Sequence, residues 1–390
     1  MKKIFFVTFL IFLFCFTGCS KKQNSQNFEN SVEIEIKNKN HTWYSFSAND
    51  FLEISKPQNA KQMPFTPWTE AKRISDSNCS ANQENPSAFA IVNRLGILEF
   101  QGDEIFLTKD ANIFNNRTAQ NLIFLEDTPI FSVYKSSFFN DSITDADYSS
   151  NEENHLFLIQ YDKTSKICYP IINCNNLTKE QNSEITDFYW DGLNWFCSVK
   201  TISAQQNAFS YINWKPTISL LKLSPSKAET NIVISEISQD DFRKSKEQIS
   251  YEKIPKRIKK LLSGFDKSKN FLIEVKSAGG NSPKTYSNKI SSENEILNAK
   301  AIISESWSAA LFEDGTLFLE GALPGKFILR QGNPIAIRLP KLPAGYIYTD
   351  FIISKTTLYA AWEETSFYKT ARSGFLKVNL EETLYKKLLP

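Results

Sequence analysis

Few side chains in this sequence could do chemistry. His41 and His155 are the only histidines in 390 residues. No Gly-x-Ser-x-Gly elbow is available to present a nucleophile. No GxxxxGK[ST] loop cradles phosphate, and Gly279-Gly280-Asn281 lacks the lysine such a loop needs. Two carboxylates attract attention because their surroundings repeat: Thr186-Asp187-Phe188 and Thr349-Asp350-Phe351. Carboxylates facing each other across a pocket are what glycoside hydrolysis requires. An aspartate near a strand entrance more simply bonds neighbouring backbone amides, and that role is expected for Asp187 and Asp350. No catalytic residue is assigned. Asp141, Asp145, Asp147, Glu152 and Glu153 crowd one stretch, and oxygen ligands suit calcium. Read from Asp145, the spacing begins as a calcium loop does. Ser150 then stands where glycine is needed, and Leu156 where a glutamate must close the site. A solvated acidic loop is expected, the metal site is unassigned, and no cofactor is implied. Cys79, Cys168, Cys174 and Cys197 form no CxxC pair and have no histidine near in sequence to complete a zinc set. They read as buried thiols, or as holding a disulfide among Cys168, Cys174 and Cys197.

The elements that would carry these residues read as β-hairpins. Apolar runs at 89–92 and 97–100 flank a short polar turn, as do those at 121–125 and 130–134, 156–161 and 167–172, 188–190 and 195–199, and 309–312 and 316–319. Asp191-Gly192 and Asp314-Gly315 are the strongest turn signals, because tight hairpins need positive φ. Hairpins without intervening helices predict antiparallel meanders, not βαβ units. One helix is expected near 254–264, with Ile254, Ile258, Leu261, Leu262 and Phe265 on one face and lysines on the other. Residues 185–200 align on 348–363 without a gap, 163 positions apart. A blade takes about 40–45 residues, so that offset reads as about four blades, with both segments as inner hairpins. A looser third copy at 301–319 puts Ser304 and Ser306 near the Thr-Asp position. The pattern resembles an all-β propeller of about six to eight antiparallel blades. Two β-sandwich domains are the alternative.

The N-terminus dictates location. Lys2 and Lys3 precede an apolar run at 4–16, and Phe16-Thr17-Gly18-Cys19 ends it. The run has 13 residues, and a bilayer-spanning helix needs about 20, so it reads as a signal core. The ending resembles the lipobox of bacterial lipoproteins, with Phe16 in place of the usual leucine, as in spirochaete-type members. That resemblance implies removal of 1–18 as a signal peptide, acylation of Cys19 with chains such as palmitate, a tether over 19–31, and a β-propeller-like domain over 32–390. The whole resembles the uncharacterised propeller-like lipoproteins of spirochaetes. The 45 basic residues lose Lys2 and Lys3 with the signal and then equal the 43 acidic ones. Such balance argues against nucleic acid as a partner. The expected location is the cell envelope, lipid-anchored to a membrane on its periplasmic or surface face. The expected role is a binding or scaffold module for an envelope protein or glycan, through the propeller's rim or mouth. A lipid-anchored hydrolase of envelope polysaccharide or peptide is the alternative.

Overall fold

Short polar turns close the hairpins Ala88–Val92/Gly96–Gln101, Phe157–Asp162/Ile167–Asn173 and Trp307–Phe312/Thr316–Leu323. At Gly315 the backbone has φ +86°, a conformation open to glycine and strained for most other residues. The computed structural model describes residues 32–36, 40–64, 68–73, 88–114, 117–125, 128–135, 157–173, 183–191, 193–206, 212–225, 232–247, 254–265, 269–277, 284–288, 296–304, 306–323, 327–328, 334–365 and 370–388.

Within them, four-stranded antiparallel meanders follow one another along the chain. Blade 1 comprises Trp68–Arg73, Ala88–Val92, Gly96–Gln101 and Glu104–Thr108. Blade 2 comprises Arg117–Leu125, Thr128–Lys135, Phe157–Asp162 and Ile167–Asn173. Blade 3 comprises Ser183–Trp190, Trp195–Gln206, Ile212–Pro225 and Ile232–Glu236. The meander of blade 4 is Ile296–Ile303, Trp307–Phe312, Thr316–Leu323 and Ile335–Arg338. Blade 5 takes Tyr346–Ser354, Thr357–Glu364 and Ser373–Asn379 from the C-terminal part. It is completed by His41–Phe46 and Phe51–Ile54 from the N-terminal part.

Period-two alternation lets each central strand offer one face to each neighbouring sheet. Ala88, Ala90, Leu98 and Phe100 pack with residues of blade 5, while Phe89, Ile91 and Ile97 pack with blade 2. Ile123, Ile130 and Leu158 of blade 2 meet Trp195, Cys197 and Val199 of blade 3. Leu311, Leu317 and Ile337 of blade 4 join the core of blades 5 and 1. A strand covered on both sides should be apolar throughout, and Trp307–Phe312 is buried at every position. Face-to-face packing in chain order, with terminal strands shared in one sheet, is a propeller arrangement and not a pair of sandwiches.

The sheets correct three expectations. Five sheets of four or more strands occur among the described residues, not six to eight. The 163-residue offset therefore separates blades 3 and 5, two blades apart. Between blades 3 and 4 the chain forms helices Gln239–Glu247 and Lys256–Leu261 and the hairpin Asn270–Ser277/Lys284–Ser287, so division of the offset by a blade length overstates the number of blades. Not every pairing is antiparallel. Val32–Glu35 runs parallel to Ile335–Arg338, and Asn270–Ser277 parallel to Ile296–Ile303. The predicted helix is present as Lys256–Leu261. Ile258, Leu261, Leu262 and Phe265 cover the face of blade 4 turned away from blade 5, against Phe271, Phe312 and Phe318. Lys256, Lys259 and Lys260 stay exposed, as their alternation implied. Finally, Ser304 is the hairpin-turn residue whose amide bonds the Trp307 carbonyl, so Ser304 and Ser306 do not match the Thr-Asp position.

Candidate functional site

A local irregularity recurs on the first strand of four blades. In blade 5 the ladder slips between Tyr348 and Asp350, leaving Thr349 as the extra residue. In blade 3 it slips between Ile185 and Asp187, leaving Thr186. Blade 1 does the same between Trp68 and Glu70, leaving Thr69. Blade 2 slips opposite Ile130 and Ser132, around Asn121 with φ +59° and Leu122. A bulge bends its strand, increases its twist and re-aims the next side chain. The repeat is thus a bulge followed by Asp187, Asp350 or Glu70, with Leu122 in blade 2. The blade 1 copy was missed because only Thr69-Glu70 carries it, too short a signal without the register.

Asp350 is the acidic member of this set whose side chain is described. Its Oδ1 accepts the Phe351 amide at 2.9 Å, the local bond expected of it. Its Oδ2 accepts Lys276 Nζ at 2.8 Å, and both side chains are 5% exposed. Lys276 lies on Asn270–Ser277, which pairs with the free edge of the first strand of blade 4. That extra strand brings Lys276 to blade 5, so a buried ion pair joins blades 4 and 5. Nearby, Phe351 is fully buried, as expected. The Tyr348 hydroxyl donates to the Pro340 carbonyl at 2.7 Å, and burial pushes its pKa well up. The side chains of Asp187, Phe188 and Glu70 lie outside the described residues.

Polar groups also tie the seams. Between blades 5 and 1, the Gly102 amide donates to Ser354 Oγ, Tyr359 donates to the Gly102 carbonyl at 2.6 Å, and Thr357 donates to Asp103. A Cβ on Gly102, whose φ is +66°, would sit 2.8 Å from the Lys355 side chain. Between blades 1 and 2, Glu99 is almost fully buried and accepts hydrogen bonds from Gln101, Tyr161 and Lys166. Lys166 also lies 5.4 Å from the centre of the Phe106 ring. A buried carboxylate is tolerated when it is paired and bonded in this way.

Cys168 and Cys197 are buried and neither is in a disulfide, so none is formed among Cys168, Cys174 and Cys197. Cys168 rests in the seam of blades 1 and 2, where burial and then the charge of Asp110 push its pKa up to about 12. Only thiolate reacts appreciably. Iodoacetamide at neutral pH is therefore expected to spare Cys168 and Cys197 in the folded protein and to label both in denaturant. Site-resolved mass spectrometry measures this; rapid native labelling of Cys168 would contradict it. Cys79, Cys174, Cys19, His155 and the acidic stretch 141–153 lie outside the described residues. His41 stands edge-on to Trp43 at 5.8 Å on an outer strand of blade 5, away from the mouth. Among the described residues no group of three or more His, Cys, Asp or Glu is arranged to hold a metal ion.

An uncharacterised lipoprotein of Treponema pallidum (strain Nichols) is 22% identical over 397 residues, covering 87% of each chain. A solved α-L-arabinanase of Penicillium chrysogenum, complexed with arabinobiose, aligns over 88% of this chain and 98% of its own. The identity is 9% and the TM-score 0.32. The model of a family of unknown function, DUF8086, matches residues 32–382, most of the sequence just described, and the chain belongs to that family.

Proposed function

We propose that this protein is a lipid-anchored lipoprotein of the bacterial cell envelope that acts as a binding or scaffold module. The observation that carries the reading is its similarity, over 87% of its length, to a lipoprotein, joined to the lipobox-like ending at Cys19. Among the described residues no helix is long and apolar enough to cross a membrane. A tether over 19–31, at no more than about 3.6 Å per residue, would hold the first strand at Val32 within about 45 Å of the acylated cysteine. The rim and mouth then face whatever envelope protein or glycan lies beside the membrane.

Cys19→Ala is expected to abolish acylation and leave the protein unprocessed or in the aqueous phase of a detergent partition. Several acyl chains make anchoring stable where one is marginal. Intact mass settles it: an unmodified mature terminus in the parent protein would end the proposal.

The lipid-anchored hydrolase is a second reading, favoured by the matched positions of Glu70, Asp187 and Asp350 on three inner strands. It is weakened because Asp350 is already committed to Lys276. Envelope polysaccharide or peptide cleavage that disappears in both Asp187→Asn and Glu70→Gln would favour it over the binding role.

A further inference from the structure

A concave surface lies on blade 3, between its strands and the helix that follows. Trp195, Cys197 and Val199 point into the seam with blade 2. Alternation therefore turns Phe196 to the opposite face, where it is 5% exposed and belongs to none of the apolar seams. Lys222 stands directly across from it on the next strand. The chain leaving the blade is fastened by the Ile237 amide to the Leu220 carbonyl, then enters the helix Gln239–Glu247. Strand face and helix border an open cleft of about 360 Å³. Phe196 and Ile237 give it apolar walls, and Lys222 and Lys244 add two ammonium groups.

The charges in this cleft are unequal in their commitments. Asp191 Oδ1 accepts the amides of Leu193 and Asn194, each at 2.8 Å, and so shapes its own turn. Asp241 Oδ2 accepts Ser238 Oγ at 2.6 Å in the helix cap. Neither Lys222 nor Lys244 has an ion-pair or side-chain hydrogen-bond partner among the described residues. An incoming anion would therefore find two uncommitted cations. The same walls offer the remaining carboxylate oxygen of Asp241, the Asn194 side-chain amide and the Ser245 hydroxyl oxygen, whose proton goes to the Phe242 carbonyl and which can still accept; these suit a guest bearing hydroxyls. A purely aromatic anion has no hydroxyl to give these acceptors. The volume falls in the range of small-ligand sites and admits one or two sugar rings.

We infer that this cleft binds an acidic sugar, with its carboxylate or phosphate between Lys222 and Lys244 and its hydroxyls toward Asn194, Asp241 and Ser245. The inference deepens the binding-module reading, since it names a ligand class for the rim of blade 3.

The test is calorimetry on the full mature protein in detergent micelles, with glucuronate, glucose 6-phosphate, glucose and benzoate as probes. Glucuronate or glucose 6-phosphate is expected to bind with a millimolar constant. Glucose and benzoate should bind at least about tenfold more weakly. Selective binding of glucuronate marks a uronate ligand and selective binding of glucose 6-phosphate a phosphorylated one; either upholds the site. The double variant Lys222→Gln/Lys244→Gln should lose about tenfold or more, the scale of charge-assisted bonds. Salt should weaken binding to the parent protein, which tests the charges without any substitution. Equal affinity for glucose, preference for benzoate, an unchanged double variant, or no binding of either acidic sugar up to about 10 mM would each overturn the inference. Loss of membrane anchoring in Cys19→Ala would leave these isotherms unchanged. Failure of the sugar site would likewise leave capture of a partner at the mouth to be scored on its own.

Discussion

Replacing Lys276 with alanine is expected to lower the unfolding free energy by about 3–5 kcal/mol. The ammonium and the Asp350 carboxylate are 2.8 Å apart with side chains 5% exposed. Removing one member strands the other's charge away from water, and that stranded charge accounts for most of the loss. Asp350→Asn should fall in the same range for the same reason. From sequence alone it reads as one backbone hydrogen bond, worth about 1 kcal/mol. The double variant Lys276→Met/Asp350→Asn should recover most of the stability, because no buried charge remains and asparagine can still accept the Phe351 amide. Urea unfolding of the three variants, compared by midpoint at constant slope, measures this. A Lys276→Ala loss below about 1 kcal/mol, the scale of an exposed pair, would show that water reaches the pair.

The second large effect is expected at Phe375, where the two ends of the chain meet. Its ring stacks on Tyr44 at 4.8 Å and contacts Phe46 and Phe51 at 5.8 and 5.5 Å, all from the N-terminal strands. It also meets Trp68 and Phe100 of blade 1 at 6.2 and 6.4 Å, and Tyr359 of its own blade at 6.2 Å. Deleting a buried aromatic ring costs about 3–5 kcal/mol through lost transfer and an unfilled cavity. Here the cavity would open where blade 5 recruits its strands from the other end of the chain. Phe375→Ala should therefore raise amide exchange across 41–54 more than across the seam of blades 1 and 2. Phe375→Leu, which keeps most of the volume, should do so much less. Uniform loss of protection across all blades would show that the N-terminal strands are not a separable clasp.

The N-terminal strands also show how far local pattern reaches. Glu33, Ile34 and Glu35 alternate as an edge strand should, and Ile34 is fully buried. The sequence could not name its partner, because Ile335–Arg338 lies some three hundred residues away and pairs in parallel. Blade number escaped for a related reason. Hairpins are set by a few residues at a turn, whereas a blade is defined by which hairpins hydrogen-bond to each other. The apolar run 270–277 looks like one more blade strand, yet it adds to the edge of blade 4 and carries Lys276 to Asp350 of blade 5. The bulges at Thr69, Thr186 and Thr349 are likewise a relation between two strands, visible once the register is known.

The sequence by itself determined the β-hairpins, the helix at Lys256–Leu261 and the burial of Phe351. Each follows from turn chemistry or from apolar periodicity, and both act over a few neighbouring residues. Tertiary structure alone decided that Lys276 neutralises Asp350, that Phe375 clasps the two chain ends, and that Lys222 and Lys244 share a cleft with Phe196. These are meetings between segments far apart in the chain. Their partners are selected by the packing of whole sheets, and the residues at each end give no local sign of what they will face.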